Sequence, residues 1–132
     1  MMKMTELQQS VTALLPNIDL AFWEPMSKHT SFRIGGPAEI MSFPKNEEEL
    51  ASILKVYNNL DCKCAILGAG TNVLAADNGV SGLVICLKDC LDGMHRLDDT
   101  HIRVAAGVTM SRASVFAASQ NLSGLEFAHG IP

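Results

Sequence analysis

The run Gly68-Ala69-Gly70-Thr71-Asn72 constrains this chain more than any other stretch. It follows directly on Lys63 to Leu67, an apolar segment that reads as a short buried strand. Two glycines one residue apart permit positive φ and let another group approach the main chain closely. Successive amide N–H groups in such a turn can converge on an anion. Thr71 adds a hydroxyl and Asn72 an amide, both able to donate to phosphate oxygens. No lysine lies in the run, so a diphosphate here would be held by neutral donors. A plain tight turn between strands is the competing reading of these five residues alone.

Spacing removes two familiar phosphate loops. A P-loop needs Gly-x4-Gly-Lys-Ser/Thr, and the chain contains no such run. The dinucleotide fingerprint of doubly wound sheets wants a small residue at its sixth position, where Val73 stands. No helical period opens after Gly70, because Asp77, Asn78 and Gly79 soon break the chain again.

The flanking pattern is that of a small α/β unit. Thr5 and Gln8 make a capping box for a first helix, with Leu7, Val11, Leu14 and Leu15 on one face and Pro16 as its stop. Trp23 to Pro37 is rich in turn residues. Ala38 to Phe43 reads as a strand ended by Pro44. Asn46 caps a second helix, whose Glu47, Glu48 and Glu49 suit the positive end of the helix dipole. Leu50, Ile53, Leu54 and Tyr57 keep its helical spacing. Leu83 to Leu87 is another apolar strand. The order strand, helix, strand, loop, strand predicts a lobe whose strands are covered by helices. Beyond Cys90, Met94 to Leu97 and Ile102 to Ala105 suit a hairpin across Asp98-Asp99-Thr100. A helix capped by Thr109 or Ser111 then runs to about Gln120, and an irregular tail follows.

Composition excludes several roles. A net charge of -4 argues against a nucleic-acid binder, which usually shows a basic face. No apolar run approaches the roughly 18 residues of a membrane span. The Met-Met-Lys-Met start lacks the apolar core of a signal peptide and reads as gap filling or a ragged end, so a cytoplasmic location is the expectation. Cys62, Cys64, Cys86 and Cys90 lack paired Cys-x2-Cys spacing and are expected as buried free thiols. No His pair has metal-ligand spacing, and no metal site is expected. Glu126 is read as an acceptor of main-chain hydrogen bonds rather than a general base. Arg33 is left open between a phosphate and a carboxylate partner.

Three blocks, in order, give the loop a context. They are Thr30-Ser31-Phe32-Arg33-Ile34-Gly35-Gly36-Pro37-Ala38, Leu67-Gly68-Ala69-Gly70-Thr71-Asn72-Val73-Leu74 and Ser123-Gly124-Leu125-Glu126-Phe127-Ala128-His129-Gly130-Ile131-Pro132. Together with Gly79-Val80-Ser81-Gly82-Leu83-Val84-Ile85, they make the chain, from about Met26 onward, resemble the N-terminal part of the UDP-N-acetylenolpyruvoylglucosamine reductase family. That resemblance implies an α/β (α+β), two-lobed FAD-binding domain of the vanillyl-alcohol-oxidase type, truncated within the second lobe. Residues 1–25 would be a helix and lead-in, 26–90 the first lobe, and 91–132 an incomplete second lobe. It implies noncovalent FAD, so His29 is not expected to carry the flavin. Gly68, Ala69, Gly70, Thr71 and Asn72 would meet the diphosphate, with Gly130 and Ile131 nearer the ring system. Ala106 and Gly107 resemble a turn at the lobe junction, and His129 is a departure from the pattern.

The family's reaction passes hydride from NADPH through FAD to UDP-N-acetylglucosamine enolpyruvate, in peptidoglycan precursor synthesis. Its serine acid and its arginine and glutamate lie beyond the third block, so no catalytic residue carries over here. The chain alone is expected to hold FAD poorly or not at all and to lack turnover. Two other readings stand beside this one. One is a flavin module of another two-lobed oxidoreductase, such as a molybdenum hydroxylase subunit. The other is a non-catalytic interaction domain.

Overall fold

The computed structural model describes residues 3 to 131; Met1, Met2 and Pro132, including the ragged start suggested above, lie outside the described residues. The chain divides into two compact units, Met1–Cys90 and Leu91–Pro132.

The first unit opens with α1, Glu6–Leu14. The Thr5 hydroxyl accepts from the Gln8 amide at 3.1 Å, and the Gln8 side chain accepts from the Thr5 amide at 3.0 Å. The apolar face differs from the expected one. Val11 and Leu15 are buried, but Leu14 is 53% exposed, and Gln8 takes a fully buried place. The reason is polar: Gln8 Nε2 donates to the Glu39 carbonyl at 2.8 Å, so burial leaves its amide satisfied.

Strand β1, Leu20–Pro25, extends into the stretch expected to be turns. It pairs antiparallel with β2, Pro37–Ser42, and the ladder overrides the local turn signals. Pro25 is tolerated because it closes a strand at the sheet edge. Trp23 takes φ +55 where the pairing passes from Phe22↔Ile40 to Glu24↔Ala38. Helix α2, Glu47–Leu60, is capped by Asn46 Oδ1, which accepts from the Glu49 amide at 2.9 Å. Strands β3, Cys64–Leu67, and β4, Val80–Cys86, complete a sheet of order β1-β2-β4-β3. β2, β4 and β3 run parallel.

Alternation along the strands sorts the core. Met41, Val84, Cys86 and Leu67 join Met26, Ala38 and Ala75 in one cluster, with Val73, Val80 and Phe43 packed against it. Ile40, Leu83 and Ile85 alternate to the other side and are fully buried. The cluster around Met41 and Val84 draws no residue from α1 or α2. Met26 opens a short 3-10 turn, Met26–Lys28, and Val73 and Ala75 come from irregular chain. The connection from β3 to β4 has no helix, and its apolar side chains do the covering.

In the second unit, β5, Met94–Arg96, and β6, Ile102–Val104, form the expected hairpin. Helix α3, Met110–Ser119, starts at Thr109, whose hydroxyl accepts from the Arg112 amide at 3.3 Å. Arg96 Nη1 donates to the Gln120 carbonyl at 3.1 Å and so joins hairpin to helix end. The Ser114 hydroxyl donates to the Leu125 carbonyl at 2.9 Å, fixing the tail that contains a 3-10 turn, Glu126–Ala128. Among the described residues no helix is long and apolar enough to cross a membrane.

Candidate functional site

The glycine loop leaves β3 at Leu67. None of the amide N–H groups from Gly68 to Asn72 finds an acceptor among the described residues. Five successive main-chain donors are thus left for water or a ligand. The Thr71 hydroxyl and the Asn72 amide also lack partners among the described residues, and both residues are exposed.

A strap from Met26 to Gly36 closes over the loop. The Ser31 amide donates to the Gly70 carbonyl at 2.9 Å, and the Gly36 amide donates to the Ala76 carbonyl at 2.9 Å. Thr30 is buried, and its hydroxyl donates to the Ile34 carbonyl at 3.2 Å. His29 Nε2 lies 2.9 Å from Glu24 Oε1, and its ring stacks at a tilt on Phe43 with centroids 5.6 Å apart. These contacts leave the strap little freedom.

The two glycines have different jobs. Gly70 has φ +67, and a Cβ there would strike the His29 carbonyl. Packing and backbone conformation both demand glycine. A Cβ on Gly68 would meet nothing within 4 Å. Among the described residues nothing requires Gly68 to be small, yet it borders a cavity of about 380 Å³. Its bare face leaves room for a ligand against the main chain.

Gly68 and Ala69 form one side of that cavity, and Lys28, Thr30, Ser31 and Arg33 come from the strap. Cys86 ends β4, and Lys88 lies two residues beyond it. The run itself carries only neutral donors, and three cations from elsewhere in the chain, Lys28, Arg33 and Lys88, line the cavity beside it. Lys88 was hidden because only the parallel pairing Leu67↔Cys86, continued by the Leu87 amide donating to the Leu67 carbonyl at 2.8 Å, brings it beside Gly68. Thr71 and Asn72 belong to the same loop but do not line the cavity. A neighbouring cavity of about 220 Å³ shares His29, Cys86 and Lys88, and carries charges of both signs at Asp19, Lys45 and Asp89.

Gly130 and Ile131 belong to the second unit. Gly130 has φ +87, and its amide donates to the Ser111 hydroxyl at 3.4 Å. Ile131 and His129 are exposed. Glu126 accepts from the Gly124 amide at 2.7 Å, the structural role read from sequence. Main-chain hydrogen bonds, its own amide's first and then that of Gly124, hold its carboxyl below the usual range.

The cysteines form no disulfide; Cys86 and Cys90 are buried, while Cys62 and Cys64 are only half-buried. Burial pushes the Cys62 thiol up, Glu39 and Asp61 add to it, and its own main-chain hydrogen bond opposes. Burial first, and Cys62 second, push up Cys64. Among the described residues no group of three or more His, Cys, Asp or Glu could hold a metal.

Comparison with known proteins gives this geometry its context. Residues 38–132 match a family described as the FAD binding domain. The UDP-N-acetylenolpyruvoylglucosamine reductase of Clostridioides difficile is 39% identical over 119 residues, 90% of this chain and 39% of that protein. The reductase of the same name from Syntrophomonas wolfei is 40% identical over 118 residues, 89% of this chain and 39% of that protein. A crystal structure of the Thermus caldophilus reductase aligns with a TM-score of 0.57 at 27% identity, covering 88% of this chain and 38% of that one. The chain thus spans about two fifths of the length of the relatives it matches.

Proposed function

This chain belongs to the FAD binding domain family, and on that premise we propose that it is the flavin-holding part of a UDP-N-acetylenolpyruvoylglucosamine reductase. Relatives carrying that name match about nine tenths of the chain, which favours this reading over another flavin oxidoreductase or an interaction domain. The observation that carries the binding role is the row of unpartnered amides, two of whose residues, Gly68 and Ala69, face a cavity with cations on its other walls.

The residues present fit the diphosphate of FAD. Gly68 and Ala69 offer amide donors at a surface where no Cβ of Gly68 intrudes. Gly70 sets the loop against the strap, and Thr71 and Asn72 add side-chain donors at its exposed end. Gly130 and Ile131 serve nearer the ring system. FAD, when bound, supplies a hydride relay between NADPH and UDP-N-acetylglucosamine enolpyruvate. The reaction belongs to peptidoglycan precursor synthesis, in the cytoplasm. This chain's own contribution is to bind and orient the cofactor, and no residue here is assigned to the proton-transfer step.

A titration of the chain with FAD, followed by visible absorbance and equilibrium dialysis, tests the reading. Saturation at one flavin per chain, with a perturbed flavin band, is expected. No binding at millimolar FAD would remove the cofactor role. For a longer protein that carries this domain, NADPH oxidation dependent on the enolpyruvyl sugar nucleotide is the matching activity.

A further inference from the structure

We infer that Arg33 and Lys88 are the charge partners of a nucleoside diphosphate seated on the Gly68–Ala69 amides, with the adenosine diphosphate half of FAD as the occupant. This rests on the flavin reading above and assigns residues and charge to it.

The chain carries 14 acidic and 10 basic side chains, so an average patch of its surface is acidic. The cavity at Gly68 reverses that balance. Lys28, Arg33 and Lys88 line it, and no Asp or Glu does. The adjoining cavity, lined by two aspartates and two lysines, lacks this bias. Like charges gathered without counter-charges repel, and the arrangement is stabilised when an anion arrives.

The three cations are not equivalent. Lys28 Nζ lies 3.6 Å from Glu24 Oε1, which also meets His29 at 2.9 Å, so its charge is shared. Neither Arg33 nor Lys88 makes an ion pair or a side-chain hydrogen bond among the described residues. Two uncompensated cations match the two negative charges of an esterified diphosphate. The strap holds Arg33 in an uncommon conformation, φ +54, in a turn closed by its amide donating to the Thr30 carbonyl at 3.1 Å. A non-glycine residue at such an angle costs free energy that the surrounding contacts must offset. The guanidinium can take two phosphate oxygens together, and the Lys88 ammonium acts as a point charge beside them.

The test uses the 132-residue chain, its Arg33→Gln/Lys88→Gln double variant and a Lys55→Gln control whose lysine lies outside the cavity. Binding of FAD, ADP and UDP is measured by calorimetry at several salt concentrations, with urea unfolding to verify that each variant folds. FAD and ADP are expected to bind the double variant at least about tenfold more weakly, since a hydrogen bond to a charged group contributes on the order of that factor or more. The salt dependence should also become shallower, and the control should match the parent. Unchanged FAD affinity in a folded double variant overturns this inference and leaves the flavin reading standing. Binding of ADP that depends on both cations, with no binding of FAD, sustains the charge partners and removes the flavin reading. UDP binding as tightly as ADP overturns the adenosine assignment. No binding of any of the three overturns both.

Discussion

The main-chain carbonyl of His29 occupies the space that a Cβ on Gly70 would need. The strap and the loop are therefore fitted to each other at backbone level, and the Ser31 amide, 2.9 Å from the Gly70 carbonyl, locks the contact. Replacing Gly70 by Ala forces a side chain into φ +67 and into that carbonyl. Left-handed backbone costs an L-residue roughly 1–2 kcal/mol, and overpacking adds about 1–3 kcal/mol. Gly70→Ala should lower the urea-unfolding free energy by about 2–5 kcal/mol. A loss below about 1 kcal/mol would mean that the strap yields easily.

Gly68 gives the opposite expectation. A methyl there meets nothing within 4 Å, so Gly68→Ala should stay within about 0.5 kcal/mol of the parent in the same unfolding measurement. Its methyl would enter the space beside the loop amides, and FAD affinity should fall while stability holds. A variant that binds FAD normally would place the diphosphate elsewhere.

Glu39 ties three elements of the first unit together. Its Oε1 accepts from the Thr5 hydroxyl at 2.9 Å, its Oε2 from the Gly82 amide at 2.8 Å, and its carbonyl from Gln8 Nε2 at 2.8 Å. Glu39→Ala strips the acceptor from the buried Gly82 amide and should cost about 1–3 kcal/mol in thermal unfolding. Glu39→Gln keeps one oxygen and should recover part of the loss. Equal stability for all three proteins would show that water replaces the carboxylate without cost.

Asp98 sets the acid limit of the second-unit hairpin. Hydrogen bonds, first from the Thr100 amide at 2.8 Å and then from His101, hold its carboxyl at about 2, below the ordinary 3.8. A depressed folded value means the anion favours the folded turn. That contribution is present above pH 3.8 and is lost as pH falls through about 2. A carboxyl carbon NMR titration should place the Asp98 midpoint near 2; a midpoint at or above 3.8 contradicts the hydrogen-bonded turn.

Much of this fold is readable from local chemistry. The capping residues Thr5, Asn46 and Thr109 mark helix starts by donating an acceptor to their own first turns, a signal confined to a few neighbouring residues. The failures are non-local. Trp23 and Pro25 look like turn residues until a partner strand supplies Ile40 and Ala38 for pairing with their neighbours. Gln8 looks solvent-facing until the Glu39 carbonyl, 31 residues away, takes its amide. At the site, the glycine spacing announces a loop fit for an anion. Of the cations only Arg33 is suggested by the sequence, as a partner of a phosphate or a carboxylate; Lys28 and Lys88 join it only through a strap and a parallel strand. The distinction between Gly68 and Gly70 is equally invisible in sequence, since it depends on what lies opposite each α-carbon.

The most direct measurement is an amide NMR titration of the labelled chain with FAD. The expected result is that the Gly68 and Ala69 amides shift first and furthest, with Ser31 and Arg33 following from the strap. FAD binding that leaves the Gly68 and Ala69 amides unmoved would contradict the proposed seat of the diphosphate.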